Sequence, residues 1–233
     1  MPPGAQHQQL PAAFLNEIAG LEDQGNSSSI VEGMRAHSQE ADVQERVCEA
    51  LTSLARNAEN KVAIAKANGI TAVITALQLH PTHAKVQENG CRALYNLATG
   101  NAENKVAIAE TDGITAVVAA LQQHPTHAEV QEFGCGALFF LAANVENKVS
   151  IAEAGGIRAV VAALQQHPTH TEVQQYGCGA LLSLAANAEN KVAIAEAGGI
   201  RAVVAALQQH PTHTEVQQYG CGALLSLAAN AEN

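Results

Sequence analysis

The sequence predicts an all-α solenoid with three helices per repeat, on three observations. First, the chain repeats itself. Glu189–Ala231 returns as Glu146–Ala188, which differs only in having Ser150 where the later copy has Ala193. It returns more loosely as 103–145, as 59–102 with one extra residue near Thr99–Gly100, and as a half copy at 30–58. Self-similarity at such a period marks units that bury an apolar face only by stacking on their neighbours. Second, apolar residues within a unit follow helical spacing, as in Ile200, Val203, Val204 and Leu207. Third, Ala, Val, Leu and Ile abound while aromatics make up 3% with no Trp, which suits closely packed helices better than a sandwich core.

Residues 1–29 read as a tail and a capping helix. Leu10–Glu22 carries Phe14, Leu15, Ile18 and Leu21 on one side, and the polar run Asp23–Ser29 ends it. The half repeat 30–58 follows, then full units at 59–102, 103–145, 146–188 and 189–231, and 232–233 opens a further one. The break inside the motif points to a longer array, or to a last hairpin that meets a partner.

The last unit shows how each helix is bounded. An acidic start at Glu189 and the apolar residues Val192, Ile194 and Ala195 make a short first helix, stopped by Gly198–Gly199. The second helix carries the Ile200–Leu207 stripe and ends at His210–Pro211, because the residue before a proline is pushed out of the helical region. Thr212 and Glu215 then form a capping box for the third helix, repeated at Thr126/Glu129 and Thr169/Glu172 and absent at Thr82, where Lys85 replaces the acid. The third helix puts Val216, Gly220, Ala223, Leu224 and Leu227 on one narrow face.

A short helix followed by a two-helix hairpin, built on I-A-E-A-G-G-I, V-V, A-L, V-Q, G-C, A-L and L-A from Ile30 to Asn233, resembles the armadillo (ARM) repeat. The resemblance implies an armadillo-type right-handed superhelical solenoid with three helices per ~43-residue repeat, whose third helices line a concave groove that binds other proteins. HEAT repeats are the alternative, although their units usually have two helices.

The formal charge of −10 disfavours nucleic acid and anionic membranes, and no apolar stretch is long enough to span a bilayer. Met1–Gln9 lacks the basic start and apolar run of a signal peptide. Cys48, Cys91, Cys135, Cys178 and Cys221 recur at one core-facing position; stacked equivalents should lie about 10 Å apart, too far for disulfides. Free thiols in that number fit an intracellular compartment, cytoplasmic or nuclear. No phosphate loop, nucleophile elbow or HExxH motif occurs, and Asp is confined to positions 23, 42 and 112, so no enzyme is expected and no cofactor is implied.

Two surface ladders remain. The H-P-T-H loops, at His80/His83, His124/His127, His167/His170 and His210/His213, offer imidazoles as metal ligands, with His124, His127, His167 and His170 the candidates. Yet no Cys or carboxylate joins them at ligand spacing, and a solvent-facing polar loop explains them as well. The other ladder is the expected groove. In peptide-binding members of the family an Asn on the third helix holds the partner's backbone, and its position falls on Ser53, Asn96, Phe140, Ser183 and Ser226. A Trp position four residues earlier falls on Glu49, Arg92, Gly136, Gly179 and Gly222. One turn earlier still stand Glu45, Glu88, Glu132, Gln175 and Gln218, acidic in the first half and neutral in the second.

This gradient leads to a non-catalytic scaffold that binds an extended basic or neutral peptide across Glu45, Glu49, Glu88 and Glu132, with Asn96 bonding its backbone and Arg92 tuning the choice. Phe140 is the expected interface anchor, and Phe139 is expected in the core. The alternative is a structural module that self-associates or stacks end to end through its last hairpin.

Overall fold

The computed structural model describes residues 4–229, with side chains from residue 12 onward. The expectations for the extreme tail and for a further repeat at 232–233 lie outside the described residues. Among these there are fifteen helices and no strand, in two compact units, Met1–Thr111 and Asp112–Asn233. Unit 1 holds α1 (Gly4–Asp23), α2 (Ser27–Ala36), α3 (Ala41–Leu54), α4 (Ala58–Lys66), α5 (Gly69–Leu79), α6 (Ala84–Ala98) and α7 (Ala102–Glu110). Unit 2 holds α8 (Gly113–Gln123), α9 (Ala128–Leu141), α10 (Val145–Glu153), α11 (Gly156–Gln166), α12 (Thr171–Leu184), α13 (Ala188–Glu196), α14 (Gly199–Gln209) and α15 (Thr214–Ala228). Equivalent helices stack: α3 on α6 and α2 on α5 in unit 1, and α9, α12 and α15 in one row beside α8, α11 and α14 in unit 2. The helix α1 closes unit 1 by packing on α2 and α3; its Ile18 is fully buried, and Phe14 stacks on His37 at 5.7 Å. No single helix among the described residues is long and apolar enough to cross a membrane.

Each first helix starts one residue before the acidic position read from sequence. Asn57, Asn101, Asn144 and Asn187 cap it, their side chains accepting backbone N–H bonds from the first turn. The turn into the second helix needs a left-handed residue, supplied by Asn68, Asp112, Gly155 or Gly198 at φ between 58° and 84°. The second glycine of each Gly-Gly pair serves close packing: a Cβ on Gly156 would stand 2.5 Å from the Ile151 side chain.

The second and third helices are tied by a glutamine. Nε2 of Gln174, a buried residue, donates to the carbonyls of Leu164 (2.9 Å) and His167 (2.9 Å), the end of α11. Gln44, Gln87, Gln131 and Gln217 do the same in their own hairpins. A buried Asn ties the first helix to the preceding third one, as Asn104 Nδ2 donates to Leu97 O at 3.0 Å.

The capping box is not what starts the third helix. His83, His170 and His213 occupy the N-cap, each Nδ1 accepting the N–H of Val86, Val173 or Val216. Thr212 lies outside the helix, and Thr126 and Thr169 hold the same place relative to α9 and α12. The imidazole, one residue nearer the helix, takes the orphan N–H one residue beyond the one a Thr hydroxyl would reach, Val216 rather than Glu215. In three of the loops the other histidine clips neighbouring repeats together: Nε2 of His80 bonds Ser38 O (2.8 Å), His167 bonds Pro125 O (2.7 Å) and His210 bonds Pro168 O (2.8 Å). Where the carbonyl accepts, the proton is on Nε2. These rings are half-buried rather than solvent-facing.

All five cysteines are free thiols, and four are buried as expected, but Cys221 is exposed. It sits on α15, over which no further third helix packs among the described residues. The same holds for its neighbours: Ile157 is 3% exposed and the equivalent Ile200 42%, although α11 and α14 have identical sequences.

Replacing Gln174 by Ala removes a donor from the buried Leu164 carbonyl and one of two donors from that of His167, so urea unfolding should show a loss of about 1–3 kcal/mol. An unchanged midpoint contradicts the tie. Burial pushes the thiols of Cys48, Cys91 and Cys178 from 9.0 up to about 12. Between those pH values the unfolded chain loses protons that the folded chain keeps, so this contribution to stability is complete below about pH 9 and is lost as pH rises toward 12. The fall in stability across that window should be shallower in a C48A/C91A/C178A variant, and an equal slope refutes the assignment.

Candidate functional site

The third-helix faces carry the residues singled out from sequence. In unit 1 that face is not an open acidic strip. Glu88 is 4% exposed, held by Lys85 at 2.8 Å and Arg92 at 3.1 Å. Glu49 is exposed and stands 3.4 Å from Arg46, which also meets Glu22 at 3.0 Å, while Glu45 is half-buried. Arg92 is therefore engaged by its own helix rather than poised to select a partner. The spacing that neutralises Glu88, a base three residues before and another four after, is visible in the sequence.

Asn96 departs from expectation too. Its Nδ2 donates to Thr52 O of α3 at 3.0 Å, so the amide joins two third helices instead of waiting for a partner's backbone. Asn89 Nδ2 reaches Glu45 O in the same manner at 3.4 Å.

Unit 2 differs in chemistry. The helices α9, α12 and α15 carry Glu129, Glu132, Glu172 and Glu215 and no Lys or Arg. Glu132, Phe140, Gln175, Ser183 and Ser226 are half-buried and Gln218 is exposed. Phe139 is half-buried rather than in the core: its ring lies 4.9 Å from that of Phe140 and 5.3 Å from that of Tyr219, two repeats further on. That reach depends on Gly179. A Cβ there would stand 3.2 Å from the Phe139 ring, so the bare helix α12 lets a side chain of α9 meet one of α15. Gly222 likewise has the Leu182 side chain 3.2 Å from its would-be Cβ, so both glycines are places of close packing. Tyr219 was missed from sequence because its role needs residues 40 and 80 positions apart on one diagonal.

A metal-ligand set also forms where the spacing excluded one. Ligand atoms of Glu132, His170 and Glu172 all lie within 4.8 Å of one another, with His170 Nδ1 3.5 Å from Glu172 Oε2. The second carboxylate comes from the neighbouring third helix, a contact that linear spacing cannot reveal. These three residues could hold a divalent cation, although ligation through Nδ1 would break the bond to Val173 N–H. His127 Nδ1 stands 3.3 Å from Glu129 Oε2, His167 is taken by Pro125 O, and the His124 carbonyl accepts from Gln131.

Residues 71–231 match the profile of the family described as the LRRK2 ARM repeat. No curated protein sequence matches the chain. Among solved structures it is similar to an engineered protein at 29% identity and a TM-score of 0.76, covering 92% of this chain and 84% of that one. It is similar also to the designed armadillo repeat protein YIII(Dq)4CqI, at 24% identity and a TM-score of 0.76, covering 94% and 89%. A third is the designed armadillo repeat protein YIII(Dq.V1)4CPAF in complex with peptide (KR)4, at 23% identity and a TM-score of 0.74, covering 97% and 95%. The matched profile covers well over half of the sequence and the architecture is that of an armadillo solenoid, with three helices per unit where HEAT repeats have two: this chain belongs to the armadillo-repeat family.

Proposed function

We propose that this armadillo solenoid is a non-catalytic, intracellular protein-interaction scaffold that binds an extended basic segment of a partner along the third helices of unit 2. The observation that carries this reading is the Phe139–Phe140–Tyr219 aromatic group on a row of helices bearing four carboxylates and no Lys or Arg. Aromatic faces and carboxylates together suit guanidinium and ammonium groups. A designed protein of the same fold that holds (KR)4 supports the chemistry of the partner. Unit 1 is less suited, since Glu88 and Glu49 have cations of their own.

Fluorescence anisotropy with labelled (KR)4 tests this. The peptide should bind, more weakly as salt rises, and Phe140→Ala combined with Glu172→Gln should lower affinity at least tenfold while Glu49→Gln changes little. Equal affinity for a (KE)4 peptide, or no effect of the unit 2 substitutions, would refute the reading.

A second reading rests on the apolar face of α14 and α15, where Ile200, Val204 and Leu225 are exposed, Leu225 at 74%. On α11 the equivalents Ile157 and Val161 are buried beneath the next repeat. We infer that this face docks a second copy of the chain. Sedimentation should then show a concentration-dependent dimer that Leu225→Glu abolishes; a monomer at all concentrations rules it out.

A further inference from the structure

The faces built by the second helices hold the feature that neither reading uses. In unit 2 a cavity of about 350 Å³ opens between α8 and α11, lined by Leu121, Gln122, Pro125, Arg158, Ala162 and Gln166 among others. In unit 1 a cavity of about 230 Å³ opens between α2 and α5, lined by Met34, Arg35, Ser38, Gln44, Thr71 and Thr75 among others. The two occupy one place in the repeat: Met34 corresponds to Leu121, Ser38 to Pro125, Gln44 to Gln131, Thr71 to Arg158 and Thr75 to Ala162. The same parts hold each open. The helix-tying glutamine stands in the lining, and the histidine clip from the next loop bonds Ser38 O in one and Pro125 O in the other, setting the separation of the two helices.

The frame is constant, whereas the residues that face a visitor vary. Each cavity nevertheless has a guanidinium and no carboxylate in its lining, on a chain whose formal charge is −10. Arg35 arrives on the earlier helix and Arg158 on the later one, so the charge recurs by different substitutions. Arg35 is bonded to Asn68 O at 3.3 Å, and Arg158 is exposed above the small floor formed by Ala159 and Ala163, with Ala162 exposed at the mouth. An apolar hollow with one cationic group at its mouth suits a ligand that is apolar at one end and anionic beside it.

We propose that each of these clefts is a binding site of its own unit, separate from the third-helix face of that unit, which takes an acidic peptide segment of a partner: an apolar side chain enters the cleft and the adjoining carboxylate pairs with Arg158 in unit 2 or with Arg35 in unit 1. The segment is extended, because an extended chain exposes alternate side chains to the same surface.

The test uses the full chain and two labelled pentapeptides, ELELE and its basic counterpart KLKLK, read by anisotropy and by amide chemical shifts. ELELE should bind and move the signals of Gln122, Ala162 and Gln166. Arg158→Glu should weaken it at least tenfold, and Ala162→Leu, which fills the mouth from an exposed position, should do the same. Arg56→Glu, on an exposed residue outside both clefts, should leave affinity unchanged. Absence of ELELE binding, equal affinity for KLKLK, or indifference to both unit 2 substitutions overturns the proposal, and equal affinity for free hexanoate overturns a peptide as the occupant. None of these substitutions touches Phe140, Glu172 or Leu225.

Discussion

A single glutamine amide holds each hairpin together, buried in four of them and half-buried in the last. Wherever a second helix ends, its last carbonyls turn inward, and in every hairpin a glutamine one turn into the third helix donates to two of them. The histidine carbonyl of each pair also accepts a backbone N–H from the loop, as His167 O does from His170 at 3.1 Å, so the glutamine matters most to the other acceptor, Leu164 O in this hairpin, and leaving a buried carbonyl unpaired costs more than an ordinary surface hydrogen bond gains. In the same loops one histidine caps the third helix and the other bonds the preceding loop, as His170 does with Val173 N–H and His167 with Pro125 O.

Close packing between the helices then depends on what is missing. Glycines stand where the second and third helices meet: a Cβ on Gly90, Gly134 or Gly177 would fall about 2.5 Å from a Leu side chain. Each costs about 1 kcal/mol of helix propensity relative to Ala, and close approach offsets it. Gly179 is a different case, because its bare surface is covered by an aromatic ring from the preceding repeat that reaches the following one. Gly179 is thus a seat for Phe139.

Charge divides the molecule more sharply than the net value suggests. The third helices of unit 1 mix carboxylates with Lys85, Arg46 and Arg92 and satisfy them locally, while those of unit 2 carry only carboxylates among aromatics. The second helices contribute the opposite sign, a lone arginine at each described cleft. The two charge patterns lie on different helices of the same hairpins.

The sequence by itself determined the repeat, the three helices of each unit, the Gly-Gly and His-Pro boundaries and the core stripes, because these depend on neighbours within a few residues. The Asn caps and the paired Glu88 were legible in the same local sense, through Asn before each acidic start and through base spacing around the acid. Only tertiary structure decided which polar groups were already spent. Asn96 is bound to Thr52 O, His167 to Pro125 O, and Glu132 lies beside His170, all partners about one repeat away. It also decided that α11 and α14, identical in sequence, bury their apolar residues differently, since burial depends on the next element in space and not on the residues themselves.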